Sequence, residues 1–310
     1  MDLVVFSRAE LPIALRALRS VALKNGVFTE MERNFITTLA DLHGGGVDVD
    51  GLEPITPADV ALRVVDPHHQ KRLVQLALVA ALIEGEPDHT TLNEIRDLAA
   101  ALDIRDSGLE VLREVVDGHL FMARFDMARR LRGAMLPKDM TLAKLFRQML
   151  PFLGVGRDPE TAAKYRALAE CAKGTFGRAF YDHYVEHGFA FPGETHGIIE
   201  RGTFHDAGHI LSGYDVTPAG EIQQAAFQAG FMRKDGFVVL LFGLLQFHMG
   251  LRITPIAKAE RGYFDVNNVI RAAERGAACK ADLSDGWDLF SVADVPLAEL
   301  RASYGITPLA

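Results

Sequence analysis

Within GTFHDAGHILSGYDVTPAGE, residues 202 to 221, two histidines stand four apart, an aspartate lies between them, and a glutamate follows after a Gly-containing break. On a helix, His205 and His209 are one turn apart and share a face, with their Cβ atoms about 5 to 6 Å from each other. One metal ion can bridge them. Asp206 is turned about 100° from His205 but only about 60° from His209 at 3.6 residues per turn, so it can lean in as a ligand or act as a catalytic base. Gly213 is placed to cap the first helix, and Thr217-Pro218 reads as an N-cap followed by a first-turn proline. If the two helices fold back near residue 215, Glu221 and His209 lie equally far from the bend and come abreast. His205, Asp206, His209 and Glu221 then offer two nitrogens and two carboxylates. Such a set suits Zn²⁺ or another divalent transition metal such as Fe, Mn or Co.

Other histidines compete for attention. HYVEH, residues 183 to 187, matches the HxxEH pattern of inverted zinc peptidases. His187 directly precedes Gly188, however, so a histidine serving a helix C-terminus is the simpler reading, with Phe176, Phe180 and Tyr184 as a buried stripe. His196 is a candidate proton carrier near the metal and His248 a candidate pocket group, against the plainer readings of a loop histidine and a satisfied core histidine.

The elements that must position these groups are helices. Leu, Ala and Val recur at helical spacing between Gly and Pro breaks, with no sustained alternation, so the expected fold is all-α. An internal repeat runs at an offset of 59 residues, ALKNGVFTEMERNFITTLAD from 22 over ALIEGEPDHTTLNEIRDLAA from 81. Each copy reads as a helix end, a Gly turn, an N-cap (Thr29, Asp88) and a new amphipathic helix. Acidic residues at these turns (Glu30, Glu32, Glu84, Glu86, Asp88) could hold a cation, though solvated helix starts that complement the dipole are the expected reading. A further helix is expected over about 107 to 133, and GAMLPKDM, residues 133 to 140, marks a boundary. Two units follow: 1–133, helical with the repeat, and 134–310, a larger helical unit carrying the metal site on a hairpin.

The net charge of −8 and the lack of Lys/Arg runs argue against nucleic acid as a partner. Two distant cysteines, Cys171 and Cys279, suggest neither a disulfide framework nor a cysteine zinc site. The most apolar run, 237 to 251, is too short to span a bilayer and carries Gln246 and His248. A cytoplasmic location is expected, with peripheral contact at the inner face of the cytoplasmic membrane as the alternative.

The repeat resembles the TerB-like helical domain of tellurite-resistance proteins. The second unit resembles the coenzyme Q biosynthesis protein 4 family, whose HDxxH motif is followed after eleven residues by Glu, here His205, Asp206, His209 and Glu221. KGTFGRAFYDHYVEHGF upstream and GWDLFSVADVPLAELRASYGI downstream are similar to the flanking blocks of that family. The resemblance implies an all-α fold, a metal held by those four residues, Zn²⁺ ahead of Fe, Mn or Co, and a role in ubiquinone biosynthesis, in oxidative decarboxylation of a polyprenyl-hydroxybenzoate-type precursor. Its implied partners are a prenylated aromatic or isoprenoid lipid and other quinone-biosynthesis proteins, and a homo-oligomer is expected. Phe227, Phe231, Phe242 and His248 could line a prenyl groove, although such residues more often form core. Ala207 and Gly208 replace the bulky apolar residues usual in the family, which implies a roomier site. The leading function is therefore an enzyme in which Asp206 or His196 moves a proton. A non-catalytic isoprenoid-lipid-binding scaffold is the alternative, and a metallohydrolase ranks last.

Overall fold

Capping residues and prolines open most of the helices of this chain. The computed structural model describes residues 1–85, 87–135, 150–254 and 257–309. Among these residues the α-helices, in chain order, are α1 (Leu11–Ala22), α2 (Glu30–Leu42), α3 (Pro57–Ala61), α4 (Pro67–Ile83), α5 (His89–Ala101), α6 (Gly108–Val116) and α7 (Leu120–Met135). After them come α8 (Pro159–Arg166), α9 (Phe176–His187), α10 (Thr203–Ser212), α11 (Pro218–Phe231), α12 (Phe237–Phe247), α13 (Val266–Ala277) and α14 (Leu297–Tyr304). The protein is all-α: among the described residues there is no strand, only two isolated bridges, Thr175 with Pro296 and Met249 with Arg261.

The repeat builds matching helix pairs, α1–α2 and α4–α5. Gly26 and Gly85 turn the chain at φ +84° and +80°, where residues with a Cβ are disfavoured. Thr29 then starts α2 with a reciprocal capping box to Glu32, and Asp88 starts α5 by accepting the N–H of Thr91. Within the repeat's acidic turns, Glu86 lies outside the described residues. α4 is buried continuously from Arg72 to Ile83, as expected of a helix packed on all sides.

The single helix expected over 107–133 is two helices. α6 stops at Val116 because Gly118 takes φ +73° and the His119 N–H closes back on the Glu114 carbonyl at 2.7 Å, a Gly-terminated C-cap. Of the boundary stretch 133–140, residues from 136 onward lie outside the described residues.

One cluster of buried side chains runs from α1–α5 through α12 into α11 and α13. Polar contacts cross the same seam: the His248 Nε2 donates to the Ile83 carbonyl at 2.6 Å, and the Thr38 hydroxyl to Asn267 Oδ1 at 2.9 Å. α12 is almost wholly apolar and buried. α11 and α13 meet backbone to backbone, since a Cβ on Gly276 would lie 2.0 Å from the Phe227 carbonyl oxygen. Phe227 and Phe231 are fully buried there, each worth about 1.5–3 kcal/mol relative to exposure.

Candidate metal centre

α10 is short and held at both ends. Gly213 terminates it at φ +86° and returns its N–H to the His209 carbonyl at 2.8 Å. Two arginines cover the last carbonyls: Arg301 of α14 donates to Leu211 (3.0 Å) and Ile210 (2.7 Å), and Arg275 of α13 to Ser212 (2.9 Å). Past the turn, Thr217 accepts the Gly220 N–H at 3.2 Å and Pro218 opens α11. α9 flanks the pair, its first turn stitched to the chain ahead of α14 by the Phe176 N–H on Val295 and the Gly177 N–H on Ala293. The segments on either side of the motif thus brace the helix that carries both histidines.

The turn places Glu221 against that helix. His205 Nε2 lies 3.3 Å from Glu221 Oε2, His209 Nε2 lies 3.7 Å from Oε1, and the two Nε2 atoms are 3.3 Å apart. These three side chains form a group able to hold a metal ion. Their outward nitrogens are engaged: His209 Nδ1 donates to the Tyr214 carbonyl at 3.0 Å and His205 Nδ1 to Gln228 Oε1 at 2.9 Å. A backbone carbonyl can only accept, so His209 carries its neutral-state proton on Nδ1 and turns the Nε2 lone pair inward. Two imidazole lone pairs and a carboxylate then face one another, and only a shared cation, a proton or a metal ion, reconciles them. The donor set of the trio suits Zn²⁺ or another divalent transition metal, and three protein ligands leave a coordination position for water or substrate.

The electrostatics follow from this closeness. Burial pushes His205 down, but the hydrogen bond and charge of Glu221 outweigh it and raise its pKa to about 9. Burial would raise Glu221, yet the bonds from His205 and His209 hold it at about 2. The His209 side chain is only 2% exposed, against 22% for His205 and 19% for Glu221. Access is therefore from the His205–Glu221 side.

Asp206 does not join the trio. Its Oδ2 accepts the Tyr184 hydroxyl from α9, and burial raises its pKa. His196 is exposed, at φ +67°, with its N–H on the Pro151 carbonyl and its ring beside Gly154, and no contact among the described residues ties it to the metal ligands. The prenyl-groove residues are also placed otherwise. Phe227 and Phe231 are core, and Phe242 is half-buried. His248 is a buried bridge between Ile83 and the Phe264 N–H. Nor is the site roomier at Gly208: the Gln224 amide fills the space, and a Cβ on Gly208 would lie 2.0 Å from Gln224 Nε2.

The HYVEH segment does approach the centre. His183 stacks on His209 with ring centroids 6.1 Å apart and meets His187 at 4.7 Å. Burial, then the neighbouring histidines, lower the His183 pKa to about 4, leaving it neutral near pH 7. Glu186 and His187 are exposed, and HYVEH forms no metal-holding group of three among the described residues. A second such group, Asp66 with His68 and His69, is already engaged: Asp66 caps α4, and His69 Nδ1 lies 3.0 Å from Glu10.

Gln224 and Gln228 went unread in the sequence, yet their positions three and seven residues after Glu221 put them on its helix face. Tyr184 reads from the sequence as part of a buried stripe, which the structure shows, but its Asp206 partner lies on another helix and has no local spacing signal. No protein-family model and no curated protein matches the chain.

Proposed function

We propose that this protein binds a divalent transition metal through His205, His209 and Glu221 and acts in ubiquinone biosynthesis on a prenylated aromatic acid. The convergence of two inward Nε2 atoms on one carboxylate, with both Nδ1 atoms tied outward, carries the metal reading. Acceptors that hold the far nitrogen of a ligating histidine are a recurrent part of metal sites. The ubiquinone reading rests on the motif spacing and flanking blocks of the sequence. The metal, when bound, would supply Lewis acidity toward a carboxylate or phenolate oxygen of the substrate, and redox capacity only if it is Fe or Mn rather than Zn²⁺. Within the chain, Asp206 is the residue suited to hold a proton beside the site: burial raises its pKa, and Tyr184 engages only Oδ2.

A second reading, a non-catalytic scaffold that binds isoprenoid lipid and partner enzymes around a structural metal, is favoured by how tightly the trio is built in: the His209 side chain is 2% exposed, and Arg275 and Arg301 hold the end of its helix. Phe227 and Phe231 are sealed in the core, so in either reading a prenyl chain would have to lie elsewhere. The test is elemental analysis of protein purified without added metal, joined to quinone profiles of cells lacking the protein and complemented with His209→Ala. Retained metal plus an accumulated prenylated aromatic acid that the variant fails to clear supports the enzyme. Failure to retain zinc, iron or manganese overturns the metal reading, and an unchanged quinone profile overturns the pathway.

A further inference from the structure

A buried cation far from α10 is left unanswered by the fold. Arg72 of α4 is 7% exposed. Its Nη1 donates to Gln75 Oε1 at 2.7 Å, and Gln75 is in turn committed to Asp106 at 2.9 Å. Its Nε is buried with no partner, and no carboxylate lies within ion-pair distance of the guanidinium among the described residues. Burial lowers its pKa to about 10, so it stays charged at neutral pH. Asp2 and Asp106 offset that burial only in part and from beyond ion-pair distance, and a desolvated guanidinium without a directly paired counterion is unfavourable.

Arg72 lines a cavity of about 300 Å³ between α4 and the α11–α12 junction. Lys71 and Arg233 line its exposed part together with Asp2 and Asp235, while Met232 and Phe237 form an apolar side. α12 begins on this wall with no side-chain cap on its first turn, and an uncapped helix start favours negative charge. The volume is at the small end of ligand pockets.

We propose that this cavity binds a small organic oxyanion, its carboxylate or phosphate group taken by Arg72 and Lys71 and its apolar body set against Met232 and Phe237. The ligand bridges α4 to the α11–α12 junction, so occupancy stabilises the packing of the first unit on the second. Nothing in this site depends on the metal centre.

Calorimetry and thermal melts of the full chain test it, with sodium benzoate and inorganic phosphate as separate probes at an ionic strength matched with sodium chloride. One of the two is expected to bind at one site and raise Tm, and which one does so identifies the group. Lys71→Glu should weaken that binding at least about tenfold, while Lys173→Glu, an exposed lysine outside the cavity, leaves it unchanged. Arg72→Met should abolish binding and raise the Tm of the ligand-free protein, because it replaces a buried charge that no carboxylate pairs directly by an apolar chain. If Arg72→Met fails to fold, the Lys71→Glu and Lys173→Glu pair still decides. No binding of either probe at about 20 mM, or equal loss in the two lysine variants, overturns the proposal.

Discussion

Gly208 and Gln224 fit together across α10 and α11 so closely that an added Cβ would overlap the Gln224 amide nitrogen, at 2.0 Å. The amide that fills this space accepts from the Ser212 hydroxyl at 2.9 Å and donates to the His205 carbonyl at 3.4 Å. It spans α10 from the first histidine to the last residue. Gly208→Ala should expel it and cost about 1–3 kcal/mol in denaturant unfolding. Adding Gln224→Ala should recover part of that loss. An unchanged midpoint for Gly208→Ala would mean that the contact constrains nothing.

Gln228 orients His205 through Nδ1 without touching the other two ligands. Gln228→Leu keeps the volume but removes the acceptor, and should reduce metal affinity about 10- to 100-fold in chelator competition. Equal affinities for variant and parent would rule out this role.

Metal binding should depend on pH with a sign set by His205. In the metal-free protein its pKa is raised from 6.5 to about 9, so the stability it contributes is full below 6.5 and lost as pH rises through about 9. Glu221 is depressed from 4.5 to about 2, so its contribution is full above 4.5 and lost as pH falls through about 2. Together they stabilise the metal-free fold most between pH 4.5 and 6.5. A metal must displace the His205 proton, so affinity should climb with pH until about 9. At neutral pH, calorimetry in buffers of different ionisation enthalpy should find about one proton released per ion.

Arg301 joins the C-terminal helix to the histidine helix through two carbonyls. Arg301→Met leaves those acceptors short of donors and should cost about 1–3 kcal/mol of stability, with weaker metal retention as the end of α10 loosens. Arg301→Lys should not restore either, because an ammonium lacks the planar fork that reaches both oxygens. Thermal melts with and without added zinc would separate the two effects.

Tyr184 and Asp206 provide a test of the buried pair beside the site. Tyr184→Phe should leave Asp206 without its hydroxyl partner and lower stability by about 1–3 kcal/mol in chemical denaturation. Retention of metal by this variant would be consistent with a trio complete without Asp206.

Local physics made much of this protein legible before any coordinates. Helical periodicity, the capping of α2 by Thr29 and of α5 by Asp88, and the Thr217-Pro218 start of α11 are properties of a few adjacent residues. So is the shared face of His205 and His209, and counting outward from the Gly213 break reaches Glu221. The break at Gly118 was missed because a helical pattern resumes directly after it.

What remained for the tertiary structure was the choice of neighbour. A helix dictates which way Asp206 points, but only the packing of α9 puts the Tyr184 hydroxyl there, 22 residues away in sequence. Phe227 and Phe231 read alike as groove or core until α13 closes over them, and Arg72 reads as an ordinary helix residue until α4 is surrounded. Local spacing sets direction at the cost of a few dihedral angles, whereas burial and partnership depend on surfaces brought together from distant parts of the chain.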